Sequence, residues 1–114
     1  MSRHTAARVS WFGAVLGGLL LCVSPARGAD DATVKLYQTK CAACHAADGS
    51  GNTTVGKALK LKDIRDPEAQ KVSDADLTTL IAKGKEKMPA NEKALKPEQI
   101  KSLVAYVREL SQKK

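Results

Sequence analysis

An all-α fold is predicted for this chain of 114 residues, and three observations predict it. Apolar residues recur at steps of three and four near the C-terminus, where Ile100, Leu103, Val104, Val107 and Leu110 mark one face and Lys101, Arg108 and Glu109 lie elsewhere. Helix punctuation is frequent: Asp30 or Asp31, Asp66-Pro67 and Ser73 fit helix starts, and Gly84 fits a helix end. No stretch alternates convincingly as a strand.

Residues 1–28 read as a secretory signal peptide. Met1 to Ser10 carries Arg3 and Arg8 without an acid, Trp11 to Val23 is an apolar run, and Ser24 to Ala29 is rich in small residues. The run is shorter than the roughly 20 residues that span a bilayer. Cleavage after Ala26, Gly28 or Ala29 is therefore expected in place of a retained anchor, with no stable membrane insertion afterwards. Cys22 sits where a lipidated cysteine would, but the bulky Leu21 precedes it, so Cys22 reads as an apolar residue discarded with the leader.

Residues 29–114 form a single small domain whose own side chains make a marginal core. Trp11 and Phe12 leave with the leader and only Tyr37 and Tyr106 remain, so there is no aromatic platform for stacking nucleic-acid bases. The first helix starts at Asp30 or Asp31 and carries Val34, Tyr37, Cys41 and Cys44 on one face. Asp48-Gly49-Ser50-Gly51-Asn52 is a turn-rich loop, and Gly56 to Leu61 has no assignable structure. Asp66 caps a short helix with Pro67 at its first position, running to about Lys71. Ser73 caps the next, with Asp74 and Asp76 at its positive end, Leu77, Leu80 and Ile81 as its buried stripe, and Gly84 as its stop. The last helix starts near Pro97 and is expected to cross the first, with Tyr37 and Tyr106 packed near the contact and Lys113-Lys114 as a frayed tail.

Cys41-Ala42-Ala43-Cys44-His45 carries the chemistry. A Cys-x-x-Cys-His run is the signature of c-type haem attachment. Thiols three residues apart on a helical turn share one face and can add to the two vinyl groups of one porphyrin, while the adjacent imidazole reaches the iron. A thioredoxin-like pair would need a strand-helix-strand setting, and a structural zinc site needs four ligands. After the leader is gone, Cys41, Cys44 and His45 are the only Cys or His residues, so zinc would have to borrow a carboxylate. One covalent haem, wrapped by short helices, also supplies the core that the chain lacks.

Subtraction narrows the sixth iron ligand. His4 belongs to the leader, and Met88 is the only methionine besides Met1. Gly84 ends the helix before it, Pro89 favours an extended backbone at Met88, and no apolar stripe claims its side chain. Met88 is the expected ligand, with lysine ligation or an open, water-bound iron as the alternatives.

On these residues the chain resembles the small, single-haem class I cytochromes c of the bacterial periplasm. The likeness runs from Leu36-Tyr37 through the attachment motif, Asp48-Gly49, Gly84-Lys85 and Met88-Pro89-Ala90 to Leu103-Val104-Ala105-Tyr106-Val107-Arg108. It implies the cytochrome c fold, attachment at Cys41 and Cys44, axial ligation by His45 and Met88, and one-electron transfer without catalysis. Two departures stand out. Many relatives have Gly-Pro where this chain has Gly56-Lys57, a segment that orients the histidine, and many have glycine where it has Ala46. A local backbone adjustment is expected at Ala46.

The whole chain carries +7, and losing residues 1–28 removes Arg3, Arg8 and Arg27 and no acid, which leaves +4. Lys83, Lys85, Lys87, Lys93 and Lys96 surround Met88 in sequence and fit a ring that steers an acidic patch of a redox partner, or else an ordinary solvated face. The expectation is a monomeric, soluble electron carrier of the periplasm. A haem subunit of an oxidoreductase complex and an open-site, gas-binding or peroxidase-like haem protein are the alternatives.

Overall fold

A computed structural model describes Gly13, Gly17, Gly18 and residues 28–114. The expected leader, with Arg3, His4, Arg8, Cys22 and Arg27, otherwise lies outside the described residues. Among the described residues, five α-helices and one 3₁₀ turn follow one another: α1 Asp31–Lys40, α2 Ala42–His45, α3 Thr54–Ala58, the turn Ala69–Lys71, α4 Asp74–Lys83 and α5 Pro97–Gln112. Extended pairing among the described residues is confined to one bridge between Lys85 and Met88.

The helix starts follow the sequence signals. Asp30 accepts a 2.8 Å bond from the Thr33 amide, and Ser73 accepts one of 3.1 Å from that of Asp76. Each satisfies an amide that the first helical turn leaves without a partner. Pro97 is the first residue of α5, and Gln99 Oε1 accepts from the Lys96 amide at 2.8 Å.

Three expectations need correction. Helix α1 does not carry both thiols, because the chain breaks at Cys41 (φ −120°, ψ −39°) and restarts as α2. Of the segment Gly56 to Leu61 that sequence left unassigned, the part up to Ala58 belongs to α3, which starts when Thr53 Oγ1 accepts from the Gly56 amide at 2.8 Å. The helix expected from Pro67 is only the 3₁₀ turn. Its carbonyls are taken by α5 instead of by a further helical turn: Arg108 donates to Gln70 O at 3.1 Å and Val72 O at 2.5 Å, and also to Asp74 Oδ1 at 2.8 Å. Arg108 therefore clasps this segment to α5.

The core lies between α1, α4 and α5. Tyr37 and Leu103 are each 1% exposed, joined by Ile81, Leu95, Ile100, Val104, Tyr106 and Leu110. Tyr37 and Tyr106 meet edge to face, with ring centroids 5.1 Å apart and planes at 73°, a favoured aromatic geometry. Helices α1 and α5 thus pack where the sequence placed them. Both terminal lysines lie beyond the end of α5 and form ion pairs, Lys113 with Glu109 at 2.5 Å and Lys114 with Asp66. Exposed pairs of this kind contribute little to stability.

Candidate haem site

A cavity of about 190 Å³ lies among α1, α4, α5 and the segments on either side of α4. Tyr37, Cys41, His45, Ile64, Ala69, Val72, Leu77, Leu80, Ile81, Met88, Leu103 and Val107 line it. Cys41, His45 and Met88, three of the four residues assigned from the sequence, thus meet in one apolar space. Cys44 is half-buried on α2 and does not line it. A wider hollow of about 740 Å³ between the start of α1 and α5 is lined by no cysteine, histidine or methionine.

Backbone ties hold His45 in place. Its amide donates to Cys41 O at 2.9 Å and its carbonyl accepts from the Gly51 amide at 2.8 Å. Thr53 Oγ1 donates to Cys44 O at 2.9 Å, and Tyr37 Oη donates to Ala46 O at 2.9 Å. Gly56 closes the arrangement, since a Cβ there would lie 2.2 Å from Gly51 O and 2.6 Å from Cys44 O. Only glycine lets α3 approach α2 so closely. Tyr37 therefore packs, as expected, and also uses its hydroxyl to anchor the carbonyl next to the histidine.

The backbone at Ala46 has not relaxed as expected. It stands at φ 67° and ψ 159°, a region that essentially only glycine occupies and that costs other residues about 1–3 kcal/mol. The Tyr37 bond and the α2–α3 ties hold it there. Ala46→Gly should release that strain at a cost of roughly 0.4–1 kcal/mol in the unfolded chain. A net gain of about 1 kcal/mol corresponds to a rise of roughly 4–8 °C in Tm for a domain of this size. Thermal melts followed in the haem absorption band check it, and an unchanged or lower Tm would show that Ala46 is not strained.

Electrostatically the site suits a neutral donor set. Burial lowers the pKa of His45, which keeps its imidazole uncharged. Burial, with a smaller contribution from Cys44, pushes the Cys41 thiol up to about 11. His45 Nδ1 is buried and has no hydrogen-bond partner among the described residues. A buried ring nitrogen without a partner is costly, so this imidazole lacks the orienting group that a ligand histidine normally has. Lys57, standing where many relatives have proline, is exposed, and the Gly56 carbonyl is taken by the Leu61 amide at 2.8 Å.

Met88 is presented by a loop folded back on the end of α4. Gly84 caps α4 at φ 72° and ψ 177°; a Cβ there would lie 2.4 Å from Met88 O and 2.8 Å from the Ala90 amide nitrogen. The turn is closed by Lys85 N donating to Met88 O at 3.0 Å and Met88 N donating to Lys85 O at 2.9 Å. Asn91 pins the far side: its amide donates to Ala82 O at 3.0 Å, and its side-chain nitrogen to Ile81 O at 3.1 Å and Pro89 O at 3.3 Å. Sequence reasoning missed Asn91 and Thr53. An asparagine two residues beyond a proline and a threonine opening a short helix are the turn and cap signals that mark them.

The Cys41 thiol, a neutral imidazole and a thioether around an apolar cavity, with the second thiol of the attachment motif on the adjoining α2, fit a covalently attached haem. Among the described residues no group of three or more His, Cys, Asp or Glu gathers as a metal site.

Comparison with known proteins agrees. The family described as "Cytochrome C oxidase, cbb3-type, subunit III" matches residues 28–107. The chain is 36% identical over 101 residues to cytochrome c6 of Nostoc sp., covering 84% of this chain and 88% of that protein. It is 34% identical over 93 residues to cytochrome c6 of Gloeothece citriformis, covering 80% and 81%. The solved structure of the KustC0563 c-type cytochrome superposes with a TM-score of 0.64 at 35% identity, over 68% of this chain and 95% of that one. With its one attachment motif, all-α fold and covalent haem c, the chain belongs to the cytochrome c family.

Proposed function

We propose that this cytochrome is an exported, periplasmic one-electron carrier whose haem, attached at Cys41 and Cys44, takes His45 and Met88 as axial ligands. The observation that carries this reading is that His45 and Met88, from separate segments, line one apolar cavity. When bound, haem with imidazole and thioether ligands supplies reversible one-electron chemistry at a raised potential. The chain's own residues keep the site constant. Leu77, Leu80, Ile81, Leu103 and Val107 exclude water, the ties around α2 hold the backbone of His45, and the Gly84–Asn91 loop positions Met88. A saturated, rigid site of this kind favours electron transfer over turnover of a substrate. The cytochrome c6 relatives support the carrier reading. Among the described residues no helix is long and apolar enough to cross a membrane.

The visible spectrum of the ferrous protein with and without carbon monoxide tests the ligation. A spectrum unchanged by the gas is expected; ready binding would replace the carrier reading with the gas-binding or peroxidase-like one.

The redox partner is proposed to be a protein that docks through an acidic patch. Lys85 and Lys87 precede Met88 in the exposed turn, and Lys93 and Lys96 are also exposed. Lys83 is partly withdrawn from such a ring, since it pairs with Glu92 at 2.6 Å. The second-order electron-transfer rate should fall as ionic strength rises from 0.01 to 0.1 M, where the Debye length shortens from about 30 to about 10 Å. Charge reversal at Lys85 and Lys87 should slow the low-salt rate in the same way. A rate flat across that range would make these lysines a plain solvated face.

A further inference from the structure

We propose that the leader is removed after Gly28 and that the α-amino group so created on Ala29 is held by the Glu109 carboxylate, as a latch between the two ends of the domain. The inference rests on the export reading above. It starts from a long-range contact: Ala29 N donates to Glu109 Oε2 at 2.7 Å across 80 residues of sequence. The Glu109 side chain is only 24% exposed, and its other oxygen takes Lys113 Nζ at 2.5 Å. Lys113 first, and then the Ala29 donor, hold this carboxyl below its ordinary range. Glu109 is thus ionised and already aimed at residue 29.

The three candidate cuts treat this contact differently. A cut after Ala29 removes the donor and puts Arg27 at the third place before the cut, where a small residue is wanted. A cut after Ala26 has small Ser24 and Ala26 at the third and first places, but it leaves Arg27-Gly28 ahead of the domain and keeps Ala29 N a neutral amide. A cut after Gly28 has Ala26 and Gly28 at the third and first places, both small, and turns the nitrogen at 2.7 Å into an ammonium. The acceptor is ionised already, and a charge on the donor adds direct attraction between opposite charges to that bond.

The surroundings suit that charge. A cation just before α1 sits at the helix's positive end, which is unfavourable unless it is compensated. Asp30 and Asp31 on its own segment and Glu109 from α5 supply three carboxylates. Of the cations on the facing side of α5, Lys113 is paired with Glu109 itself, and Arg108 is committed to Asp74, Gln70 and Val72.

The experiment is the intact mass and N-terminal sequence of the haem-loaded protein from the periplasmic fraction. A chain beginning at Ala29 is expected. A start at Arg27 or Asp30 would overturn the proposal and leave export standing, whereas an uncleaved chain would overturn both. The latch is read separately by a pH titration of the Ala29 carbon resonances in the holoprotein. The α-amino group should titrate above the ordinary range of about 7.7–8.0, and return to it in Glu109→Gln. A group raised by a partner stabilises the fold fully below its unfolded value and ceases to do so above its folded one. The Tm gap between wild type and Glu109→Gln should therefore narrow as pH rises through the folded-state value. An Ala29 group titrating in the ordinary range in the wild type would overturn the latch.

Discussion

Replacing both Cys41 and Cys44 by alanine is expected to abolish covalent haem and most of the fold together. The cavity that Cys41 borders measures about 190 Å³. At about 24 cal/mol per Å³ of unfilled core, leaving it without haem costs about 4–5 kcal/mol. A core of this size supplies only roughly 3–5 kcal/mol in all. Helical circular dichroism of the double variant should therefore fall well below that of the holoprotein at room temperature. Acid-acetone extraction of the denatured wild type should leave the pigment on the chain. Release of all the pigment would refute attachment, and a double variant with full helical signal and a cooperative melt would refute the dependence of the fold on haem.

Met88→Ala is expected to open the iron, allow the ferrous protein to bind carbon monoxide, and lower the potential by a sizeable part of the roughly 0.8 V that axial ligands span. Met88→His should keep six ligands but also lower the potential, because imidazole favours ferric iron more than a thioether does. Gly84→Ala tests the loop and leaves the sulfur itself unaltered. Its Cβ would lie 2.4 Å from Met88 O and 2.8 Å from the Pro89 carbonyl carbon, so the loop must move. This variant should show the spectrum and gas binding of Met88→Ala although the methionine is still present. The weak charge-transfer band near the red limit, which sulfur on ferric iron produces, should be present in wild type and absent in Met88→Ala and Gly84→Ala. Wild type without that band, binding carbon monoxide readily, would refute the Met88 assignment.

What was legible in the sequence follows a physical division. Helices α1, α4 and α5 announce themselves through caps at Asp30 and Ser73, a proline at position 97 and an apolar stripe through Ile100, Leu103 and Leu110, because these signals act within a turn or two of backbone. The attachment motif is equally local. The break at Cys41, the positive φ of Ala46 and the shortness of the turn after Pro67 are not local. The last two arise where a side chain from another element takes over a backbone carbonyl: Tyr37 binds that of Ala46, and Arg108 binds those of Gln70 and Val72. Arg108 reads from its sequence position as one more solvated charge on the polar face of α5. Asn91 was hidden in the same way, its three donations being visible only once the loop has folded back. Met88, which lines the cavity, is singled out by elimination, which works for a residue type that occurs once in the domain and fails for an asparagine that can serve anywhere.

The fold-back at Gly84 also bears on how the protein opens. Gly84 N donates to Leu80 O, and Asn91 N and Glu92 N both donate to Ala82 O, so the last turn of α4 and the Met88 loop share their hydrogen bonds. Fraying of that turn and withdrawal of the sulfur are then a single cooperative unit, with one opening free energy. On the proposed ligation, the lifetime of the sixth ligand would be set by the helix end, and a substitution on α4 that never touches the haem would lengthen or shorten it.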